Sequence, residues 1–346
     1  MTVPGLVLVA CLVSVAMTAC GSGSPTAPTP PAADFASQFD SLWTTFDREY
    51  SYFQHKQIDW TALRSAYRPR ALAAAGQRAF VEVIREMLAN LHDGHVFLRD
   101  PGGAQIPTYQ SPAFVNWDRA VWEQYRNRAA YVQGQADWGH GVLDGVPYIF
   151  IGGWGSQSIR AADFDAALER YRDSPALILD VRANGGGMDS LAFEIAGRFI
   201  RTSIGAGYVR YRNGPSHADF GAPVPRTVGP RGSWQYAGTV LVLIGRRSAS
   251  SNESFIMSMG ELPNVTLVGD RTAGSTANPG TFPLAGGWSY TVSRWIQFTN
   301  DHQVIEDNGL APDVFVPATA ADFASGRDPV LDWAVNRLLN RATRAQ

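Results

Sequence analysis

Phe35, Phe39, Leu42, Trp43, Phe46 and Tyr50 recur at the spacing of one helix face, with polar residues between them. Asp34 stands immediately before, where a helix N-cap is expected. The pattern predicts a second helix from Asp59 to about Tyr67, interrupted by Pro69, and a third that carries Phe80, Val83, Ile84, Met87, Leu88 and Leu91. Three short amphipathic helices in succession read as a bundle over residues 34–92. Beyond Leu91 the texture changes to short apolar runs between glycine-rich turns, which predicts strands at 95–99, 129–133 and 147–151. Two longer units then stand out. The first is an apolar strand at 176–181, a small-residue loop at 182–187 (RANGGG) and a helix at 188–200. The second is a strand at 239–244, a loop at 245–250 (GRRSAS) and a helix at 251–261. Continuous apolar strands followed by helices predict an α/β sheet covered on both faces, with its loops at the carboxyl ends of the strands, where such proteins place their chemistry. A helix at 329–339 closes the chain.

The start of the chain has another pattern. Residues 5–19 are an apolar run of fifteen, too short to span a bilayer comfortably but of the length of a signal-peptide core. Met17, Thr18, Ala19 and Cys20 resemble a bacterial lipobox, although Met17 stands where Leu is usual and no Lys or Arg precedes the run. The expectation is a lipoprotein signal peptide over 1–20, lipidation of Cys20, and a Pro/Ser/Gly linker over 21–33; an ordinary cleaved signal is the alternative. Both cysteines, Cys11 and Cys20, fall in this leader, so the mature domain has no disulfide and must be held by its core.

Charge narrows the function classes. The 29 Lys and Arg against 31 Asp and Glu give a net charge of −2 in 346 residues, without the clustered cations that nucleic-acid binding needs. Lys56 is the only lysine, which excludes a P-loop or a Ser–Lys dyad in the second half of the chain. No G-x-S-x-G elbow occurs. The triple glycine at 185–187 is not a dinucleotide fingerprint, because Ser190 holds the third glycine position and no acid lies near residue 207. His92 and His95 have no Cys or acidic cluster to complete a metal site, so neither a metal nor a cofactor is expected.

What remains is a set of polar loops: L-x-D-G-H-V at 91–96, D-V-R-x-N-G-G-G at 180–187, S-A-S-x-x-E at 248–253, V-G-D-R-T-A-G at 268–274 and E-x-x-G-x-x-P-D at 306–313. Together, and in this order, they resemble the S41 peptidases, the family of C-terminal processing and tricorn-core proteases. The resemblance implies a crotonase/ClpP-like ββα-spiral core over 93–346 that needs no cofactor. It also implies that Ser250 is the nucleophile. A serine at a strand-to-helix turn has the helix N-terminal amides beside it, so the Ser251 N–H can face an oxyanion, with a glycine N–H of the other loop as second donor. Matching the motif selects Gly187 for that donor, with Gly186 as the fallback. The processing-protease branch uses a lysine where this chain has Ser275, whereas the tricorn-like branch uses a histidine that His95 matches, with Glu306 as the acid that orients it. Tricorn-like sites also carry a serine just before the histidine; here it is Gly94, which raises the question of direct contact between Glu306 and His95. Arg182 and Glu253 read as paired charges or loop clamps that support the site. Residues 99–145 number only 47, short of the PDZ domain that many family members carry there. The expected function is a serine-type peptidase acting on polypeptides in the bacterial cell envelope, held to the membrane through Cys20. A non-catalytic binding module on the same fold and an esterase with the same residues are the alternatives.

Overall fold

The computed structural model describes residues 34–135 and 137–344; the apolar leader, the linker and Cys20 lie outside them. Along the chain come α1 (Phe35–Glu49), α2 (Trp60–Leu72), α3 (Gln77–Ala89), β1 (Phe97–Arg99), β2 (Gln105–Pro107), α4 (Arg119–Arg128), β3 (Val132–Gln133), β4 (Trp138–Leu143), β5 (Val146–Ile151), α5 (Ala161–Glu169), β6 (Ala176–Asp180), α6 (Asp189–Ala196), β7 (Ile204–Tyr211) and β8 (Val224–Val228). The remainder holds β9 (Thr239–Ile244), α7 (Ser251–Gly260), β10 (Val265–Gly269), β11 (Gly280–Pro283), β12 (Ser289–Val292), β13 (Trp295–Phe298), β14 (Val314–Phe315), α8 (Ala320–Ala324) and α9 (Pro329–Arg344).

The central sheet has seven strands in the order β14, β10, β9, β6, β5, β4, β3. The run from β5 to β14 is parallel, and β4 and β3 add an antiparallel edge. Strand side chains alternate between faces, and both faces are buried. Leu177, Leu179, Val240 and Val242 join a core with α5, α6 and α7, whereas Ile178, Leu241 and Leu243 join a second core with α4 and α9. This gives the mixed α/β architecture that the apolar strands imply.

A third core lies under α1, α2 and α3. Phe39, Phe46, Trp60, Phe80 and Ile84 pack together with Leu98, Tyr290 and Val292, so the helices close over an antiparallel sheet of order β11, β12, β1, β2 rather than only on one another. A three-stranded sheet, β13, β7, β8, completes the described strands.

Several element bounds differ from expectation. Pro69 lies inside α2 rather than ending it; it and Ser65, whose carbonyl loses its donor, are both exposed, so water can serve that carbonyl and the helix continues to Leu72. The strand expected at 95–99 begins only at Phe97, because His95 is held in the preceding turn. The strand expected at 129–133 is reduced to two residues by α4, which ends at Arg128 and is capped at Ala129. The helix expected to reach residue 200 stops at Ala196.

Candidate active site

β6 and β9 are parallel neighbours, so the RANGGG and GRRSAS loops leave the sheet side by side. Buried polar side chains fasten them together. Ser248 Oγ donates to the Val181 carbonyl at 3.0 Å, and Asn252 Nδ2 reaches the carbonyls of Val181 (3.0 Å) and Asn184 (3.1 Å). Ser251 Oγ donates to the Gly187 carbonyl at 2.7 Å. Arg182 is fully buried below the loop, paired with Asp180 at 2.7 Å and with Asp328, just ahead of α9, at 2.8 Å. It is a structural clamp between β6 and α9, remote in its bonding from the serines.

Ser250 occupies the junction between loop and helix α7 with φ 59° and ψ −129°. A non-glycine residue in this region stores strain, and such strain concentrates at functional sites. Gly186 (φ 108°) makes the close approach possible, since a Cβ there would stand 2.7 Å from the Ser250 Cβ. Gly187 (φ 141°) is equally restricted, because its Cβ would meet the Trp154 backbone at 2.6 Å. The Gly186 N–H is already donated to Asn184 Oδ1 at 2.9 Å, so the fallback oxyanion donor is spent. The N–H groups of Gly187 and Ser251, by contrast, have no acceptor among the described residues.

Glu253 caps the Ser250 N–H and makes no salt bridge among the described residues. Its carboxylate accepts from Thr272 Oγ1 (2.5 Å) and from the N–H groups of Gly274 (2.9 Å), Ser275 (3.0 Å) and Ser250 (3.2 Å). Burial raises its pKa to about 7 against the pull of these donors. It thereby locks the segment 272–275 onto the serine loop.

His95 is delivered by the turn ahead of β1. Asp93, buried, accepts from the His95 N–H at 2.8 Å and from Ser293 Oγ at 2.8 Å, while Thr291 Oγ1 donates to the His95 carbonyl at 2.6 Å. The imidazole Nδ1 lies 3.1 Å from Ser275 Oγ, and Nε2 has no hydrogen-bond partner among the described residues. Burial lowers the His95 pKa below its ordinary value, partly opposed by the charge of Asp93. Ser275 therefore touches both key loops: its hydroxyl meets His95, and its carbonyl accepts from the Ser250 N–H at 2.8 Å.

Glu306 is placed differently from expectation. Its Oε1 is 3.0 Å from Lys56 Nζ and its Oε2 accepts from the Thr276 N–H at 2.8 Å, so it reaches the neighbour of Ser275 and makes no hydrogen bond to the imidazole. Burial and then the Asp93 charge push its carboxyl well above the usual range, and Lys56 pulls it back. Burial works against the charge on Lys56, but Glu306 and Asp93 outweigh it and raise its pKa. A Cβ on Gly94 would stand 3.4 Å from Ser275 Oγ, an ordinary contact, so Ser275 lies directly beside the position before the histidine. The position was visible in sequence only as one lacking a lysine. Lys56, Asp93 and Ser275 are the site residues that sequence reasoning left without a role. Among the described residues no group of three or more His, Cys, Asp or Glu is placed to hold a metal ion.

The family model of peptidase family S41 matches residues 145–316, and that of the tricorn protease C1 domain matches residues 31–89. The chain belongs to peptidase family S41. The helices α1 to α3 fall in the second match, and the parallel strands β5 to β14 of the central sheet, with the two loops, fall in the first. A candidate tricorn protease homologue of Streptomyces coelicolor is 32% identical over 184 residues, 51% of this chain and 14% of the relative. Tricorn protease of Thermoplasma acidophilum is 28% identical over 167 residues, 47% of this chain and again 14% of the relative. This S41 chain thus aligns with about one seventh of those much longer relatives. Among solved structures, a candidate peptidase from Parabacteroides merdae superposes with a TM-score of 0.78 at 28% identity, covering 89% of this chain and 98% of that one. Mature CPAF in complex with lactacystin shares the fold, with a TM-score of 0.68 at 12% identity, covering 90% and 99%.

Proposed function

We propose that the chain is a serine peptidase with Ser250 as nucleophile, His95 as base and the Gly187 and Ser251 amides as oxyanion donors. The observation that carries the reading is the strained backbone of Ser250, a non-glycine residue at φ 59°, at a helix start between two uncommitted N–H groups.

The reaction uses the tautomer in which His95 Nδ1–H donates to Ser275 Oγ across the 3.1 Å contact, so that Nε2 is unprotonated and can take the serine proton. The lowered pKa of His95 keeps the ring neutral at pH 7. Ser250 Oγ bonds to the scissile carbonyl carbon as its proton passes to Nε2, and the Gly187 and Ser251 amides take up the negative oxygen. The C–N bond then breaks as His95 returns the proton to the leaving amine, and water, activated by the same ring, cleaves the acyl-enzyme. The buried Asp93 supplies the charge that compensates the transient imidazolium. Glu306 acts at one remove, fixing the segment that carries Ser275. The apolar leader and the Met17–Cys20 sequence support export and a lipid anchor, with polypeptides of the cell envelope as substrates.

The test is hydrolysis of an unbiased peptide library by purified protein, with Ser250→Ala as control. Cleavage by the wild type that vanishes in the variant is expected; an equally active variant would overturn the assignment.

A further inference from the structure

A second feature opens beside the same loops. A cavity of about 200 Å³ is bounded by α4, the end of β5, Ala183 and Arg247. Ala183 lies four residues before Gly187 and Arg247 three before Ser250, so an occupant abuts the backs of both site loops. Trp117, Trp122 and Phe150 form its aromatic wall, with ring centroids 4.3 to 6.1 Å apart.

The charge on this wall is one-sided. Arg126 lies over the Trp122 ring at 5.2 Å and Arg247 over the Trp117 ring at 5.6 Å. Neither guanidinium has an acidic partner among the described residues, whereas Arg119 at the rim faces Glu123 at 3.5 Å. Asp137 is the one acid lining the cavity, and it is exposed. Stacking holds guanidinium groups flat and pre-organised while leaving their N–H edges open to a planar anion. Two such forks match a carboxylate, and the three rings match an apolar body attached to it. The volume suits a single residue rather than a larger ligand.

We propose that this cavity binds a carboxylate borne on an apolar, aromatic-sized group of a polypeptide, as a recognition site next to the catalytic loops. The proposal deepens the peptidase reading by naming a substrate chemistry, but binding is measured without turnover, so the two can fail separately. The carboxylate can be a chain terminus or an acidic side chain beside an aromatic residue, and the experiment separates them.

Calorimetric titration of the full chain uses N-acetyl-phenylalanine, its amide, acetyl-aspartyl-phenylalaninamide and inorganic phosphate. Saturable binding of at least one carboxylate ligand is expected, at least tenfold tighter than the neutral amide and than phosphate. The tighter of the two carboxylates names the source. Arg126→Gln and Arg247→Gln should each weaken that binding at least tenfold, and the corresponding lysine variants should retain part of it. Circular dichroism checks that these surface variants keep the fold. Equal binding of acid and amide, wild-type affinity in the glutamine variants, or phosphate binding as tightly as the carboxylates would overturn the proposal.

Discussion

At Ser250, His95 and Ser275 the account makes its sharpest demands. Ser250→Ala and His95→Ala should each lower kcat by at least about a thousandfold, and the double variant should be little worse than either, because members of such a group act as a unit. Ser275→Ala should cost about ten- to a hundredfold in kcat with little change in KM, since it removes the partner of Nδ1 but neither nucleophile nor base. Ser275→Thr, which keeps a hydroxyl, should recover part of that loss. Equal damage to kcat and stability in both variants would make Ser275 structural only. Glu253 makes a separate prediction about pH. With its pKa raised to about 7, it is protonated below that value and one of its four donors loses an acceptor, so activity should rise as pH passes through about 7. The fully ionised His95 limb lies lower, because burial depresses that pKa. In Glu253→Gln, activity should be low and the limb near 7 absent; its persistence would assign it elsewhere. The linkage sign is opposite for stability: the folded pKa lies above the usual 4.5, so protonation favours the fold and Glu253's contribution is lost as pH rises from 4.5 to 7. Ser250 and His95 could be singled out from the chain because motif and chemistry point to the same residues, and the structure sets them at the head of α7 and in the turn ahead of β1. Ser275 could not, because its contact with His95 spans 180 residues of sequence, which no local pattern records.

Among the elements, α1 and α3 could be read from their strong periodicity, and β6, β9 and α7 from continuous apolar strands followed by clear loop signals. α4 could not: its sequence RAVWEQYRNR buries only Val121, Trp122 and Tyr125, and its position is set by packing on the far face of the sheet rather than by its own pattern. Likewise the helices over residues 35–89 read as a bundle, although their core requires Leu98 and Tyr290 from strands nearly 200 residues apart. The tie that sequence gave no sign of joins the loop after α1 to the segment before β14 through Lys56, Glu306 and Asp307. Lys56→Met leaves Glu306 buried with only the Thr276 amide, and should lower unfolding stability by about 3 kcal/mol or more. Glu306→Gln should cost less, because Asp307, 2.6 Å from Nζ, still faces the lysine. The double variant should be more stable than Lys56→Met alone, and denaturant unfolding of the three proteins measures it; strict additivity would show that the pair is not coupled.

For the whole molecule, the S41 fold sends a serine loop and a glycine loop out of one sheet and brings a histidine turn to them from ahead of another, with Ser275 touching both; where the protein works is a separate question. If Cys20 is the lipidation site, wild-type protein should fractionate with membranes and Cys20→Ser should be released or left unprocessed; wild type recovered wholly in soluble fractions would remove the anchor and leave the enzyme untouched. The central claim is that Ser250 is an activated nucleophile in the folded chain. A fluorophosphonate probe tests it most directly, because it reacts with an activated serine and spares ordinary hydroxyls. Peptide mapping after labelling should place the probe on Ser250 alone, with labelling abolished in Ser250→Ala and strongly slowed in His95→Ala. A folded wild type that takes up no probe, or takes it up at another serine, would contradict the account.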